Sequence, residues 1–245
     1  MNFPDLSSES RLGRLARLPL ALVPSELILP ILQGPLRGKR WISGSATHGC
    51  WLGSYEYDKQ QIIAREVWPG SVFYDIGANV GFYSLLSSLL VGYGKVFAFE
   101  PAPRNLPYLR RHLELNHAGN VEVLPLAISN TMGQAHFQIE ASGLMGHLAE
   151  GGSTTVATAT LDSLVESGRI APPNFIKMDI EGAELLALQG SSQVFQRFHP
   201  VLFLATHGAN LETECRELLR KWGYDLKEIG GKSSDRNELL AKTPF

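Results

Sequence analysis

From residue 71 onward, short apolar runs alternate with longer stretches whose apolar residues recur every three or four positions. That is the pattern of buried strands alternating with amphipathic helices. Residues 72–76 form the first such run and lead into a glycine turn, and 82–91 read as a helix closed by Gly92 and Gly94. Strands are expected next at 96–99 and 121–128, with a helix over 105–116 between them. Runs at 134–140 and 154–160 read as β additions flanking a Gly-rich loop, 142–153. A helix at 161–167, a strand at 175–180 and a helix at 183–189 stopped by Gly190 follow. A fifth core strand at 201–205, a helix at 211–222 and a closing hairpin from 224–229 and 238–242 complete the chain. The core strands lack apolar–polar alternation, as strands covered on both faces should. The expected fold is α/β, with about seven strands in a mostly parallel sheet and helices on both faces.

Residues 1–70 follow no such rhythm. Short helical and irregular pieces are punctuated by Pro19, Pro24, Pro30 and Pro35. They are expected to form a helical and irregular N-terminal cap on a domain spanning 71–245. The apolar residues 18–24 follow Arg11, Arg14 and Arg17 and faintly resemble a signal peptide, but Pro24, Glu26 and Pro30 interrupt the run. No small-residue cleavage site follows at the right place. The run is also shorter than the roughly 20 apolar residues a bilayer requires. An amphipathic helix packed on the main domain is expected there, and membrane association is not favoured.

Composition narrows the partners. The formal net charge of −2 offers no basic field for a nucleic-acid backbone, so nucleic acid is excluded as the expected partner. The two cysteines, Cys50 and Cys215, match neither a metal pattern nor a disulfide framework, which points to a reducing, cytoplasmic setting.

The strongest motif is Asp75-Ile76-Gly77-Ala78-Asn79-Val80-Gly81, between a strand and a helix. Ligands of open α/β sheets bind outside the carboxyl ends of strands, where the strand order reverses. Gly77 permits backbone angles closed to other residues and lets a ligand approach the main chain. Gly81 is expected to allow close helix–strand contact, and the N–H groups at the helix start favour a carboxylate. Asp75 would oppose an ammonium. A ligand carrying both groups is a zwitterionic amino acid, such as the methionine end of S-adenosylmethionine. Glu100 ends the second strand 23 residues after Gly77, and an acid at about that spacing binds ribose hydroxyls in dinucleotide folds. A nicotinamide dinucleotide would call for Gly-x-Gly-x-x-Gly, whose middle glycine is absent. No Gly-Lys-Ser/Thr phosphate loop for ATP is present either.

These blocks resemble the FkbM-type family of class I methyltransferases. The resemblance rests on residues 73–83, on 97–105 with Leu115-Asn116, on Leu126-Ala127-Ile128-Ser129-Asn130 followed by Gly133, and on 176–184 with Leu188-Gln189-Gly190. Tyr55-Glu56 resembles a short element upstream of the first motif in many relatives. The resemblance covers roughly residues 50–210 and implies a Rossmann-like methyltransferase fold. It also implies S-adenosyl-L-methionine as cofactor, S-adenosyl-L-homocysteine as product, and methyl transfer to a hydroxyl of a small molecule, natural product or saccharide. The expected cofactor set is Glu56, Asp75, Gly77, Ala78, Asn79, Gly81, Phe82, Tyr83, Glu100, Pro101, Asn105, Ala127 and Asp179, with Ala127 and Ile128 near the adenine. Many relatives carry an acid two residues before a histidine after the fifth strand. Here Ala205-Thr206-His207 keeps the histidine and lacks the acid.

An alcohol acceptor must lose a proton, so a general base within reach helps. Asp179, Glu181 and His207 are the candidates. Along an extended strand Asp179 and Glu181 should point to opposite faces, leaving one toward the methyl group unless the strand has already turned. His207 titrates near working pH. Lys177 is expected to pair with Glu181 or Glu184, and Glu184 to favour its helix N-terminus. Asp162, Asp179 and Glu181 could together take a divalent cation, although a metal is not favoured. His48, Tyr55 and Tyr57 are expected to cap the acceptor pocket. The 142–153 loop, with Met145 and His147, reads as a lid or as a plain hairpin connection. His112 and His117 are expected at a solvent-facing helix end. Three rival readings stay open: an N-methyltransferase, a nicotinamide oxidoreductase, and a non-catalytic scaffold.

Overall fold

The computed structural model describes residues 20, 22–139, 146–148, 152, 154–229 and 236–244. Of the 18–24 run expected to form an amphipathic helix, Leu20, Leu22, Val23 and Pro24 are described, with Leu20 and Val23 packed against buried apolar residues; most of the 142–153 loop, including Met145, lies outside the described residues. Among the described residues no helix is long and apolar enough to cross a membrane.

Parallel strands β3 (Val72–Ile76), β4 (Lys95–Phe99), β5 (Val121–Leu124), β10 (Phe175–Met178) and β11 (Val201–His207) form the centre of a seven-stranded sheet. The antiparallel pair β12 (Asp225–Glu228) and β13 (Arg236–Lys242) extends it beside β11. The order is β12-β13-β11-β10-β3-β4-β5, so the expected α/β architecture is present. The chain runs from β3 outward to β4 and β5, then returns to lay β10 on the other side of β3. The order therefore reverses at β3, and the carboxyl ends of β3 and β10 flank the reversal.

Successive residues of each central strand enter different cores. Tyr74, Ile76, Phe97, Phe99, Ile176, Met178, Leu202 and Leu204 pack into one cluster. Helices α5 (Leu161–Glu166), α6 (Glu184–Gln189), α7 (Ser192–Phe198) and α8 (Ala209–Lys221) cover it through Leu161, Leu188, Phe195 and Leu219. Phe73, Val96, Phe175 and Phe203 face a second cluster, roofed by α3 (Phe82–Val91) and by Ile31, Trp41, Trp51 and Ile63 of the N-terminal segment. That segment contains the hairpin β1 (Ile28–Pro30) and β2 (Arg40–Ile42), then α1 (His48–Leu52) and α2 (Tyr57–Glu66). Both faces of the strands are buried, which is why they read as continuous apolar runs.

Several boundaries differ from expectation for local reasons. The 121–128 strand is broken at Pro125, which can donate no ladder hydrogen bond. Beyond it, β6 (Ala127–Ile128) joins a separate four-stranded sheet with β9 (Thr154–Ala159), β7 (Gly133–Ile139) and β8 (Gly146–Leu148). The sequence pattern ends a helix at Gly190 and gives no sign of α7, which begins two residues later. Asp162, far away in sequence, caps it by accepting from Gln193 N at 3.0 Å and Val194 N at 2.9 Å. The fifth core strand continues to His207 because β13 pairs with it to the end, His207 opposite Arg236.

His112 departs furthest from expectation. It is 0% exposed, because β2 lands on α4 (Asn105–Leu115) and buries the expected solvent face. The imidazole stacks on Trp41 at 3.7 Å between centroids. Its Nε2 accepts from Ile42 N at 3.1 Å, so the ring proton sits on Nδ1 and is donated to the Val80 carbonyl at 2.7 Å. Burial lowers the His112 pKa to about 4. His117, by contrast, is exposed as expected. Between roughly pH 6.5 and 4 the unfolded chain binds a proton that the folded one refuses, so folding stability falls as the pH drops through that window. The full loss is about 3 kcal/mol, because each tenfold weakening of proton affinity is worth roughly 1.36 kcal/mol. Urea titrations of wild type and His112→Gln across this range should show the component in the wild type alone. Equal slopes would refute the assignment.

Candidate active site

Gly77 follows β3 with φ of 77°, and a Cβ there would overlap the carbonyl oxygen of Asp179 at the end of β10. Glycine is thus required first by the approach of the two strand ends, at the reversal of strand order. The N–H groups of Gly77 and Ala78 both donate to the Phe99 carbonyl, each at 3.0 Å. Asn79 takes the left-handed conformation, and its N–H reaches Glu100 Oε2 at 2.7 Å. Gly81 starts α3 with φ of 93°. The close neighbour there is Leu109 of α4 rather than a strand residue, so the expected helix–strand contact is a helix–helix one.

Beside this turn opens a cleft of about 370 Å³, within the roughly 300–1,000 Å³ usual for small-molecule sites. Of the expected residues, Gly77, Ala78, Asn79, Phe82, Tyr83, Glu100, Pro101, Asn105, Ala127, Asp179 and Glu181 line it. Glu56, Asp75, Gly81 and His207 are not in its wall. Of the three expected cap residues only Tyr55 reaches the cleft, where Thr47, Cys50 and Ala46 accompany it; Phe137 also lines the cleft. Nothing in the sequence assigned those last four to the site.

Glu100 is buried, and that burial raises its pKa against the opposing pull of its hydrogen bonds and of Lys177. Its Oε1 accepts from Ala102 N at 2.8 Å and Asn105 Nδ2 at 3.3 Å. A carboxylate offers about four lone-pair positions, so one remains beyond the three protein donors. Asn105 Oδ1 is buried in the same wall without a hydrogen-bond partner.

Asp75 does not meet the cleft. It is 0% exposed, accepting from Ser84 Oγ at 2.6 Å and standing 3.3 Å from Lys177 Nζ. Lys177 was expected to pair with Glu181 or Glu184. Sheet register instead sets it opposite Asp75 on the neighbouring strand.

Asp179 and Glu181 lie on the same side, contrary to strict alternation. β10 stops at Met178, and Glu181 takes a φ of 53°, so the chain has already turned. Both approach His207 Nε2, Glu181 at 3.2 Å and Asp179 at 3.7 Å. His207 Nδ1 meets the fully buried Glu184 at 2.8 Å, and Glu184 also accepts from Gly182 N. Burial alone would lower the His207 pKa, but the Glu184 hydrogen bond and the charges of Asp179, Glu181 and Glu184 outweigh it and raise the value. Asp179, Glu181 and His207 are the group among the described residues that could hold a metal ion. Asp162, the third candidate named for such a set, is at the α7 cap.

Lys59 is the principal residue that the sequence pattern did not bring forward. It is 3% exposed and pairs with Glu56 at 2.8 Å and with Glu238 of β13 at 2.6 Å; Asp179 lies 4.0 Å away. Glu56 Oε2 also accepts from the Tyr83 hydroxyl at 2.7 Å. A signal was present: Lys59 shares the helical stripe of Ile63 and Val67, both buried.

The sheet order and the strand-end cleft define a class I methyltransferase fold. Two of the crystal structures that share it are the following. One is a precorrin-6y C5,15-methyltransferase from Geobacter metallireducens, with TM-score 0.50, 16% identity and coverage of 76% of this chain and 89% of that one. The other is a methyltransferase FkbM from Methylobacillus flagellatus, with TM-score 0.51, 17% identity and coverage of 80% and 55%. Residues 75–226 match the methyltransferase FkbM domain, and the chain belongs to that family. A hexuronic acid methyltransferase, AglP of Haloferax volcanii, is 33% identical over 150 residues, 60% of this chain and 61% of that protein.

Replacing Lys59 by Met would leave Glu56 and Glu238 half-buried without their cation. Breaking a buried pair in this way costs about 3–5 kcal/mol. Urea unfolding should show a loss of that order for Lys59→Met and a partial recovery in Lys59→Met/Glu238→Gln. A loss below about 1 kcal/mol, the range of exposed pairs, would contradict it.

Proposed function

We propose that this protein is an S-adenosylmethionine-dependent O-methyltransferase acting on a hydroxyl of a saccharide or similar polyhydroxylated small molecule. One observation carries the reading: a single cleft joins the glycine turn and Glu100 to the carboxylates Asp179 and Glu181. Membership of the FkbM family supports methyl transfer. The relative named for hexuronic acid supports a saccharide acceptor.

The residues fit the cofactor. Glu100 has acceptor capacity left for a ribose hydroxyl, and Asn105 Oδ1 is a buried acceptor awaiting a donor. Ala127, Ile128 and Phe137 give that part of the wall an apolar surface suited to a purine. The cofactor's ammonium is assigned to Asp179 rather than Asp75, because Ser84 and Lys177 already engage Asp75. Bound S-adenosylmethionine supplies an electrophilic methyl group on a sulfonium that leaves as a neutral thioether.

With Asp179 given to the ammonium, Glu181 holds the acceptor hydroxyl and receives its proton as the oxygen attacks. His207 stands behind both. Held by Glu184, it donates from Nε2 toward the carboxylates and fixes their direction. Orientation of this kind is the main contribution a protein makes to such a displacement.

Calorimetric titration with S-adenosylmethionine and S-adenosylhomocysteine tests the cofactor, with NADH as control. Both should bind and NADH should not. Glu100→Ala removes charge-assisted bonds of about 1.5–3 kcal/mol, so affinity should fall by about ten- to a hundredfold. Unchanged affinity in the folded variant would remove Glu100 from the ribose role. A screen of neutral glycosides and hexuronides with labelled methyl donor tests the acceptor. Methyl ethers should form on hydroxyls, whereas labelling of amines alone would replace O-methylation by N-methylation.

A further inference from the structure

Lys177 belongs to a strand interior, is 4% exposed, and takes no part in the methyl transfer proposed for the cleft. Its Nζ lies 2.8 Å from the Gly77 carbonyl, 3.3 Å from Asp75 Oδ1 and 3.5 Å from the Ile76 carbonyl. The shortest of these contacts goes to the carbonyl of the glycine turn, not to the carboxylate. That carbonyl shares a peptide group with the Ala78 N–H, which donates to Phe99 on the opposite neighbouring strand. One peptide plane is therefore gripped at both ends, by β10 through Lys177 and by β4 through Phe99. Gly77 and Ala78, the residues it joins, form part of the cleft wall together with Lys177 itself.

We infer that Lys177 is a positioning residue for cofactor binding: its ammonium fixes the orientation of the Gly77–Ala78 peptide and so shapes the floor on which the ligand lies. The inference rests on the cofactor reading given above. A glycine has no side chain to hold its own peptide, and its φ of 77° is one of several conformations open to it. Without the Lys177 donor the peptide keeps only its Ala78–Phe99 anchor, and its carbonyl end loses its hold. Asp75 contributes by holding the ammonium in place. Register sets the two residues opposite each other on β3 and β10, and Ser84 Oγ fixes the carboxylate from α3.

A purely structural alternative makes Lys177 only the counter-charge of Asp75, and a double substitution separates the two. Lys177→Met leaves Asp75 buried and uncompensated, so it should lose stability and bind S-adenosylhomocysteine weakly. Lys177→Met/Asp75→Asn removes both charges and should regain most of the melting temperature. Its affinity for S-adenosylhomocysteine, read by calorimetry, should stay about tenfold or more below wild type, a difference of about 1.4 kcal/mol. Amide exchange at Ala78 should be faster in the same variant. Lys177→Arg, which keeps a charged donor, should recover part of the affinity.

Wild-type affinity in the folded double variant overturns the inference, since Lys177 would then serve only to balance Asp75. Failure of the double variant to fold overturns it too, because Lys177 would then be required for stability itself. Absence of binding by the wild-type protein is a separate result and removes the cofactor reading.

Discussion

Beneath the glycine turn, an ammonium and a carboxylate from adjacent strands share a space from which water is excluded. Withdrawing each ion from water costs several kcal/mol, which their attraction offsets only with good geometry and further hydrogen bonds. Ser84 and the Gly77 carbonyl supply further hydrogen bonds, while Asp75 Oδ1 faces the ammonium at 3.3 Å without one. The pair ties β3 to β10 at the point where the strand order reverses, which is where an open parallel sheet parts to make a crevice. The position of the cleft, the angle of its floor and the direction in which Asp179 emerges all follow from that junction.

At the other side of the same junction, charge is concentrated. Glu56, Asp179, Glu181, Glu184 and Glu238 gather around Lys59 and His207. The two non-glycine residues at positive φ in this group, Glu56 and Glu181, are both carboxylates. A residue held in that region stores strain of about 1–3 kcal/mol, tolerated where surrounding contacts over-determine it. Glu56 is held by Lys59 and Tyr83, and Glu181 by His207. The result is a set of acids with fixed directions, of which Asp179 and Glu181 reach the cleft.

Much of the fold was legible because its signals are local. The apolar strands, Gly77 before a helix, and Glu100 at the end of the next strand lie within about thirty residues of one another and need no knowledge of the rest. What was not legible depends on which elements become neighbours. The partner of Lys177 is decided by β10 docking beside β3, a hundred residues away in sequence. His112 looked exposed because nothing within its own helix says that Trp41 will stack on it. Asp162 resembled a metal ligand until the helix it caps was known. Lys59 was a lysine on an apolar stripe, a visible anomaly whose explanation sits in the last strand of the sheet.

That last contact has a temporal side. Helix α2 is fastened to β13 at both of its ends, by Lys59 with Glu238 and by Glu66 with Lys242, the second pair 176 residues apart and the first slightly more. A ribosome adding roughly 5–20 residues per second needs on the order of ten seconds or more between making the helix and making the strand that holds it. During that interval Lys59 and Glu66 lack the β13 side chains that later hold the helix. The helix is therefore made well before the strand that fastens it, and it can take its final place only after β13 has been added.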